Sequence, residues 1–327
     1  MDNSGNTTPV VAVRPAEPTR AERCKTQAGK TARGCATFFF NTKEGTVMGR
    51  DWTNWIQIII CYSIFFAFLA GFFIACLQVF YLTLNDYEPI YYGPGSIIFV
   101  TPGLGFQPWL KDNPSSTLIR FNTSDPTTYK DYVRVMKQFL KKYSSEESAE
   151  KTRLCSDAES QAVLNRTLEN RPQPGEKSCR FEFEHYLREA GCTPAEQFGF
   201  PAGKPCIFLT MNKVMAWLPV SYPEGSVPDE VKDRYELGNL AVDCAGTWYA
   251  DEDSIGNVTY YPRVGFHGKF FPYKKYDVYH SPIVFAKFNS LRLGTLVSVD
   301  CKAYAYNMVY HKRDRLGSTR FELLYDI

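Results

Sequence analysis

The chain has 327 residues, a hydrophobic content of 44% and a formal net charge of +2. This near balance of charge lacks the basic excess of a nucleic-acid-binding protein, so no nucleic-acid partner is predicted. One long uncharged stretch and ten cysteines instead indicate a membrane protein with a disulfide-bonded part in an oxidising compartment.

The N-terminal residues divide into two parts of different composition. Residues 1–36 are rich in Thr, Pro, Gly, Ala and charged residues and have no aromatic side chain. They cannot bury enough apolar surface to fold, so we predict a disordered tail. Residues 37–54 carry three consecutive Phe, two glycines and Trp52, which predict a short structured segment beside the membrane.

Residues 55–84 contain no Asp, Glu, Lys, Arg or Pro. A helix needs only about 20 apolar residues to cross the hydrocarbon core of a bilayer. We therefore predict one transmembrane helix over residues 55–84. No second stretch of this kind occurs in the sequence, so the chain is predicted to cross the membrane once.

The flanking charges predict the orientation of this helix. The N-terminal flank carries Arg14, Arg20, Arg23, Lys25, Lys30, Arg33, Lys43 and Arg50. The C-terminal flank opens with Asp86 and Glu88 and has no Lys or Arg before Lys111. Positive charge favours the cytoplasmic side, so residues 1–54 are predicted inside and residues 85–327 outside, a type II topology. A cleaved signal peptide is the alternative, but its apolar core would be shorter and nearer the N-terminus.

Six cysteines fall in the predicted external part: Cys155, Cys179, Cys192, Cys206, Cys244 and Cys301. An even number in an oxidising compartment predicts three disulfides, although six cysteines allow 15 pairings. The simplest hypothesis pairs chain neighbours, namely Cys155 with Cys179, Cys192 with Cys206 and Cys244 with Cys301. The sequence alone leaves the other pairings open. A zinc site is disfavoured because no C-x-x-C occurs and the four histidines are scattered.

Three glycosylation sequons lie in the same part of the chain. They begin at Asn122, Asn165 and Asn257, and each is a predicted N-glycan acceptor. Asn6 also begins a sequon but lies on the predicted cytoplasmic side, where it should remain unmodified. The external cysteines and sequons together support an extracellular, glycosylated domain over residues 85–327.

The first part of this domain is predicted to be irregular and then helical. Residues 88–114 are rich in Pro and Gly, which predicts extended, irregular backbone with one strand near residues 96–101. Asp125 is a candidate N-cap for a following helix, and Pro126 suits its first turn. Apolar residues then recur at helical spacing: Tyr132, Met136, Phe139, Leu140 and Tyr143.

From about Cys206 the pattern changes to short strands. Six segments rich in β-branched and aromatic residues begin near residues 206, 240, 258, 281, 295 and 320, with Gly, Pro, Asn and Asp between them. Val297, Val299 and Cys301 alternate with polar residues, as a half-buried strand requires. We predict a mainly-β, immunoglobulin-like sandwich with long loops and a helical insertion.

The sequence contains no catalytic motif such as G-x-S-x-G or H-E-x-x-H. His185, His267, His280 and His311 have no evident nucleophile beside them, and we interpret them as surface or packing residues. Asp251 and Asp253 form a D-x-D, a pattern that type II glycosyltransferases use to hold a divalent metal. This glycosyltransferase reading is a minor alternative, because the surrounding sequence predicts only strands.

The predicted membrane helix carries an aromatic face. Tyr62, Phe65, Phe66, Leu69 and Phe73 recur at steps of three and four residues, with Ala70 and Gly71 nearby. Helices associate in lipid through close packing and a few polar groups. The face is therefore a candidate docking surface for other membrane helices, with plain lipid exposure as the alternative.

Several of these motifs resemble one family in the same chain order. Phe38–Asn41, followed by Gly49, Arg50 and Trp55, resembles the cytoplasmic signature of the β subunits of the X,K-ATPases, most closely those of the sodium/potassium pump. The membrane stretch YSIFFAFLAGFFIACLQVFYLTL, then FGFPAGKPC, AVDCAGTW, VTYYP, GKFFPY and VDCKAYAYN, resemble the same family. The resemblance covers the chain from about Phe38 to its end, and the family's cysteine order supports the neighbour pairing.

The resemblance implies a non-catalytic subunit without a cofactor. It implies pairing with a catalytic α subunit in the plasma membrane, assistance with its folding and delivery, and tuning of potassium occlusion. It also implies a small FXYD-type regulatory partner, surrounding lipid, and α-subunit contacts by Tyr62, Phe65, Phe66 and Gly71. Residues 206–216 are implied to help cover the external loops of the α subunit.

This chain departs from the family pattern at three places, the first being Asp51, where the family usually has Thr. The interval from Cys179 to Cys192 is longer than usual, and Thr193-Pro194 replaces the usual Ser-Gly. Phe68 stands where some relatives have a membrane cysteine linked to redox control, so that mechanism is not expected. A cell-adhesion protein with partners on neighbouring cells remains the main alternative function.

Overall fold

The computed structural model describes residues 40–41, 45–84, 89, 91, 96, 101–110, 116–162, 177–215, 217–311, 313 and 316–326. The predicted tail over residues 1–36 lies outside these residues, as does most of the predicted strand at 96–101. The chain divides into two compact units, residues 1–83 and residues 84–327. We call them the helix unit and the β domain.

The described part of the helix unit begins with a small hairpin. Strand β1 (Phe40–Asn41) pairs with strand β2 (Thr46–Val47) in an antiparallel register. Gly45 enters β2 with a φ of 65°, a left-handed conformation that costs glycine little. The indole N–H of Trp55 donates a hydrogen bond of 2.9 Å to the Val47 carbonyl. This bond ties the hairpin to the first turn of the following helix.

Helix α1 (Trp52–Thr83) is 32 residues long. At 1.5 Å per residue it measures about 48 Å, longer than the roughly 30 Å hydrocarbon core of a bilayer. Within the described residues it is the one helix long and apolar enough to cross a membrane. The single predicted apolar helix is confirmed, and it begins three residues earlier than predicted.

The first four-stranded sheet of the β domain is antiparallel throughout. It contains β3 (Leu104–Gln107), β7 (Cys206–Met211), β10 (Ile283–Phe288) and β9 (Val258–Tyr261), in the order β3-β7-β10-β9. The two central strands, β7 and β10, are almost fully buried. Most residues of both strands are apolar, and each strand has a single half-buried polar residue, Thr210 or Lys287. Neither strand therefore has a polar face to turn toward water.

The second four-stranded sheet contains β4 (Leu118–Phe121), β12 (Ser318–Tyr325), β11 (Leu296–Tyr304) and β8 (Ala241–Gly246), in the order β4-β12-β11-β8. Strands β12, β11 and β8 are antiparallel, whereas β4 joins β12 in parallel. A short parallel pair, β5 (Thr152–Arg153) with β6 (Ser178–Cys179), lies apart from both sheets. A β-rich domain with several sheets is therefore confirmed.

An aromatic core joins the two sheets. Phe321 of the second sheet contacts Phe106 and Phe288 of the first, with ring centroids 5.0 Å and 6.1 Å apart. The predicted alternation in β11 is confirmed for Val297 and Val299, which are both fully buried. Asp300 was predicted to face solvent with the polar set, but it is buried.

The buried position of Asp300 has a local cause. Arg320 on the neighbouring strand β12 donates a hydrogen bond of 3.3 Å from Nη2 to one Asp300 carboxylate oxygen. The register pairs these two residues directly across the strands. A buried carboxylate is tolerated when a cation of this kind neutralises it. Sequence alternation cannot detect such a pair, because its partner is 20 residues away.

Short helices fill the long connections. They are α2 (Lys130–Lys141), α3 (Glu146–Lys151), α4 (Ala158–Ala162), α5 (Glu184–Ala190) and α6 (Tyr249–Ile255), with 3₁₀ turns at Pro126–Thr128, Gln197–Ala202, Asp229–Val231 and Gly268–Phe270. Asp125 accepts a 3.0 Å hydrogen bond from the Thr127 N–H. It thus caps the first 3₁₀ turn rather than α2 itself. Helix α2 buries Val133, Met136 and Leu140 against the core.

Candidate partner-binding face and the disulfide-bonded domain

Three aromatic side chains form a continuous surface on α1. The ring centroids of Phe65 and Phe66 are 5.5 Å apart, and those of Tyr62 and Phe66 are 6.1 Å apart. The three side chains are 57%, 56% and 58% exposed. They come together because their spacing of three and four residues matches the helical turn. We call Tyr62, Phe65 and Phe66 the aromatic face.

Gly71 lies on a different side of the helix from the aromatic face. It follows Tyr62 by about two and a half turns, so it points away from the three aromatic residues. No atom of the chain lies within 4 Å of where a Gly71 side chain would begin. A single partner helix cannot contact all four predicted residues. Gly71 and the aromatic face would have to contact different partners.

The aromatic face also carries an unused hydrogen-bonding group. Among the described residues, none accepts a hydrogen bond from the Tyr62 hydroxyl or donates one to it. An unpaired hydroxyl in hydrocarbon is unfavourable by a few kcal/mol.

The structure joins the six cysteines of the β domain as chain neighbours. Cys155–Cys179, Cys192–Cys206 and Cys244–Cys301 have Cα separations of 5.5, 6.2 and 4.0 Å. Cys244 and Cys301 lie opposite each other on β8 and β11, so their disulfide crosslinks two neighbouring strands. The Cys192–Cys206 disulfide attaches the segment after α5 to β7, and the Cys155–Cys179 disulfide joins the segment after β5 to β6.

One disulfide coincides with a cluster of metal-ligating residue types. Cys155, Cys179 and Glu159 are the one such group among the described residues. Its two sulfurs are bonded to each other. The Glu159 carboxylate accepts hydrogen bonds from Arg153 and from the Ser156 N–H. These ligand atoms are already engaged, and the cluster is an ordinary disulfide with a neighbouring ion pair.

A buried polar network lies beside the Cys244–Cys301 disulfide. Arg234 donates a hydrogen bond of 2.7 Å to the Asp243 carboxylate, and its guanidinium carbon lies 4.4 Å from the centroid of the Tyr260 ring. The Tyr260 hydroxyl donates to Asp243 over 3.2 Å and accepts the Cys244 N–H over 2.7 Å. Burial raises the pKa of Tyr260 far above its usual value, so this hydroxyl keeps its proton. Sequence reasoning missed Arg234, because it lies in a turn without periodic signal.

The sequon asparagines lie on different elements. Asn257 is exposed between α6 and β9. Asn122 follows β4, where its side-chain oxygen accepts a 2.7 Å hydrogen bond from the Ser124 N–H. Asn165 lies outside the described residues. Glycan attachment at these three positions stays a prediction.

Asp251 has a structural role that accounts for half of the D-x-D pattern. One of its oxygens accepts a 3.2 Å hydrogen bond from the Trp248 N–H at the start of α6. The other accepts a 3.2 Å hydrogen bond from the Ser298 N–H on β11. Both oxygens therefore cap a helix and attach it to the second sheet. This geometry disfavours the glycosyltransferase alternative, since the metal-holding carboxylate is already in use.

The four histidines differ in burial. His280 is buried, where its Nδ1 accepts the Phe181 N–H over 3.3 Å. His267 Nε2 lies 3.3 Å from the Tyr186 hydroxyl, and burial lowers the pKa of this imidazole. His185 and His311 are exposed. His280 and His267 are therefore packing residues, and His185 and His311 are surface residues.

The position of β7 leaves few residues in the range 206–216 available for the predicted contact with a partner. This strand is paired on both edges, with β3 and β10. Ile207, Phe208 and Leu209 are fully buried. Of the described residues in this range, Asn212 and Lys213 are the exposed ones, so a partner would meet the residues after the strand.

One helix long and apolar enough to cross a membrane, together with a disulfide-bonded, β-rich domain, fits a single-pass membrane protein. A family model, sodium / potassium ATPase beta chain, matches residues 25–321, and the chain belongs to this family. The β chain is the non-catalytic subunit of the pump, so the protein is an accessory subunit and not an enzyme.

Individual relatives match over nearly their whole length. A probable sodium/potassium-transporting ATPase subunit beta-3 of Caenorhabditis briggsae is 39% identical over 88% of this chain and 85% of its own. A subunit beta-1 of Drosophila melanogaster is 31% identical over 88% of this chain and 91% of its own. A subunit beta-1 of Tetronarce californica is 28% identical over 90% of this chain and 96% of its own.

Proposed function

We propose that the chain forms a heterodimer with the catalytic α subunit of a sodium/potassium pump. In this role it assists folding of the α subunit, accompanies it to the plasma membrane and tunes potassium occlusion. Family membership over residues 25–321 supports this role. A small FXYD-type subunit and annular lipid complete the proposed assembly.

The aromatic face of α1 is the proposed docking surface in the membrane. The observation that carries this proposal is a row of three aromatic rings, each more than half exposed, on a helix that buries no side chain in its own chain. A partner helix would cover the rings and offer the Tyr62 hydroxyl a polar group. Gly71 lies on the opposite side and is proposed to face lipid or the small regulatory subunit.

The β domain is proposed to be extracellular, which corresponds to a type II topology. Basic residues before α1 and acidic residues after it support this orientation. Disulfides and the sequons at Asn122, Asn165 and Asn257 suit an oxidising, glycosylating compartment. We interpret its two packed sheets as an immunoglobulin-like sandwich, with α2 and its neighbouring helices as the insertion. Residues 1–36 and 37–54 are the proposed cytoplasmic tail and juxtamembrane segment.

The test is assembly of the full-length protein, purified in mild detergent and identified by mass spectrometry. We expect a P-type ATPase in equal amount, with ouabain-sensitive ATPase activity. Replacing Tyr62, Phe65 and Phe66 together by Ala should reduce co-purification at least severalfold. It should also shift the apparent potassium affinity of the remaining pump.

A matched control removes apolar side chains from the opposite face of the same helix. Ile60, Ile64 and Phe68 are also more than half exposed, and their replacement by Ala should leave assembly unchanged. Equal assembly of both triple variants would show that the docking face is wrong. A chain that purifies alone or with cell-surface ligands would instead support the adhesion function.

A further inference from the structure

A groove runs between α2 and α5 on the surface of the β domain. It has a volume of about 430 Å³. Lys137 and Lys141 line it from α2, and Arg188 lines it from α5. A second cavity of about 480 Å³ adjoins it and shares Phe183, Glu184 and Arg188. Neither cavity contains a residue of the proposed docking face.

The charges around the groove are not balanced by the protein. Glu184 is the one acidic residue that lines it, against the cations of Lys137, Lys141 and Arg188. Within the described residues, none of these three cations forms a salt bridge. The Arg188 Nε donates only a weak 3.4 Å hydrogen bond to the Glu184 backbone carbonyl. The groove therefore offers three exposed positive charges to a ligand.

The floor of the groove argues against an apolar ligand. Leu140, Phe183 and Leu187 are only 4%, 8% and 2% exposed, because they pack into the core of the β domain. A ligand that lay on them would cover little additional apolar area, and hydrophobic stabilisation scales with that area. The cations of Lys137, Lys141 and Arg188 on the rim offer an interaction that the three apolar side chains do not supply.

The charge extends along α2 as a row. Lys130, Arg134, Lys137 and Lys141 follow one another at four, three and four residues, and all are exposed. This spacing aligns them along one side of the helix over about 16 Å. Only Arg134 has a carboxylate partner in the described structure, Asp131 at 2.8 Å. A row of cations suits an extended polyanion better than a single small anion.

We propose that the row on α2 and the adjoining groove bind a sulfated polysaccharide of the heparan sulfate class. Sulfate groups along such a chain are extracellular polyanions, so the choice of glycan rests on the proposed outward orientation of the β domain. Lys137, Lys141 and Arg188 hold sulfates at the groove, and Lys130 extends the contact along the helix. The interaction is electrostatic and weakens as ionic strength rises.

The test is a titration of the purified full-length protein with a fluorescent heparin oligosaccharide at increasing sodium chloride. Lys137→Gln with Lys141→Gln and Arg188→Gln should weaken binding about tenfold at low salt. Lys204→Gln with Lys232→Gln and Arg292→Gln removes the same charge elsewhere and should change binding less than about twofold. Thermal unfolding of each variant verifies that it folds.

Each other result overturns the proposal. It is wrong if the wild-type protein does not bind, if both triple variants weaken binding equally, or if a desulfated oligosaccharide binds as well. An acidic peptide that competes at equal charge and concentration would assign the site to a protein partner. Co-purification with the α subunit should be normal in the Lys137, Lys141 and Arg188 variant, so failure of this site is distinguishable from failure of assembly.

Discussion

The helix unit and the β domain treat apolar side chains in opposite ways. Helix α1 buries none of its side chains within the chain, although most of them are apolar. The β domain encloses a continuous core in which Phe121, Phe208, Phe285 and Phe321 are fully buried. The difference teaches that α1 depends on its surroundings, whereas the β domain supplies its own apolar environment.

The same contrast applies to backbone and crosslinks. A helix satisfies its own backbone hydrogen bonds, so α1 is stable in lipid without tertiary contacts. Strand β4 must instead find β12, about 200 residues away in the sequence, before its hydrogen bonds form. Loop closure over such distances costs conformational entropy. Disulfides reduce that cost, and all three lie in the β domain.

The largest expected effect comes from removal of the disulfide between β8 and β11. Cys244→Ala with Cys301→Ala opens a crosslink over 57 residues, and the chain-entropy model gives a loss of about 4 kcal/mol in unfolding free energy. Denaturant unfolding of the purified protein measures this loss. Cys61→Ala with Cys76→Ala, two free and exposed cysteines of α1, is the control and should not change the unfolding of the β domain.

A pH-dependent loss of stability should be confined to the β domain. Burial lowers the pKa of His280 from 6.5 to about 4, so between these values the unfolded chain binds a proton that the folded chain does not. The stabilisation is complete above pH 6.5 and is lost as pH falls toward 4, by about 3 kcal/mol. The helicity of α1 should not change over this range, because it has no acidic or basic side chain.

The control for the pH effect is His280→Asn. An Asn side-chain oxygen can accept the Phe181 N–H in place of Nδ1 but does not titrate. Unfolding midpoints of this variant should vary less between pH 7 and pH 4 than those of the wild type. An equal pH dependence in the two proteins would assign the acid sensitivity to other groups.

The smallest expected effect comes from replacing one glycine by alanine, either in the β domain or in the helix unit. Gly199 has a φ of 78°, and an added Cβ would collide with the Lys204 backbone carbonyl, so Gly199→Ala should destabilise the β domain by at least about 1–2 kcal/mol. Gly71→Ala meets no atom of the chain and should leave unfolding of the β domain unchanged. Similar unfolding midpoints for both variants would contradict the contrast between the units.

Sequence patterns predict the long elements better than the short ones. The six strands β7 to β12 match the six predicted segments, whereas the short helices α3 to α6 are not predicted. Helix α1 is found to within three residues, because its signal is local composition. Strands β7 and β11 are also found, since each is a long apolar or alternating run. Strands β3 and β4 are missed: the Pro and Gly around β3 predict irregular backbone, and β4 is only four residues long. Their positions are determined by distant partners.

The candidate sites show the same division. The aromatic face can be read from the sequence, because helical spacing places Tyr62, Phe65 and Phe66 together. Helical geometry also places Gly71 on the opposite side from that face, because α1 is one unbroken helix. The engaged oxygens of Asp251 and the half-buried pair of Arg234 with Asp243 cannot be predicted in this way. Each depends on residues that only tertiary folding brings together.

The sequence by itself determined the single apolar helix, the β-rich class of the following domain and the family of the chain. These properties rest on composition, local periodicity and rare motifs in order. Tertiary structure alone decided that β4 pairs in parallel with β12, that Asp300 is buried beside Arg320, and that α2 and α5 form a cationic groove. The physical reason is the distance along the chain between the contacting residues. A local sequence pattern reflects contacts within a few residues, whereas these features join segments 20 to 200 residues apart.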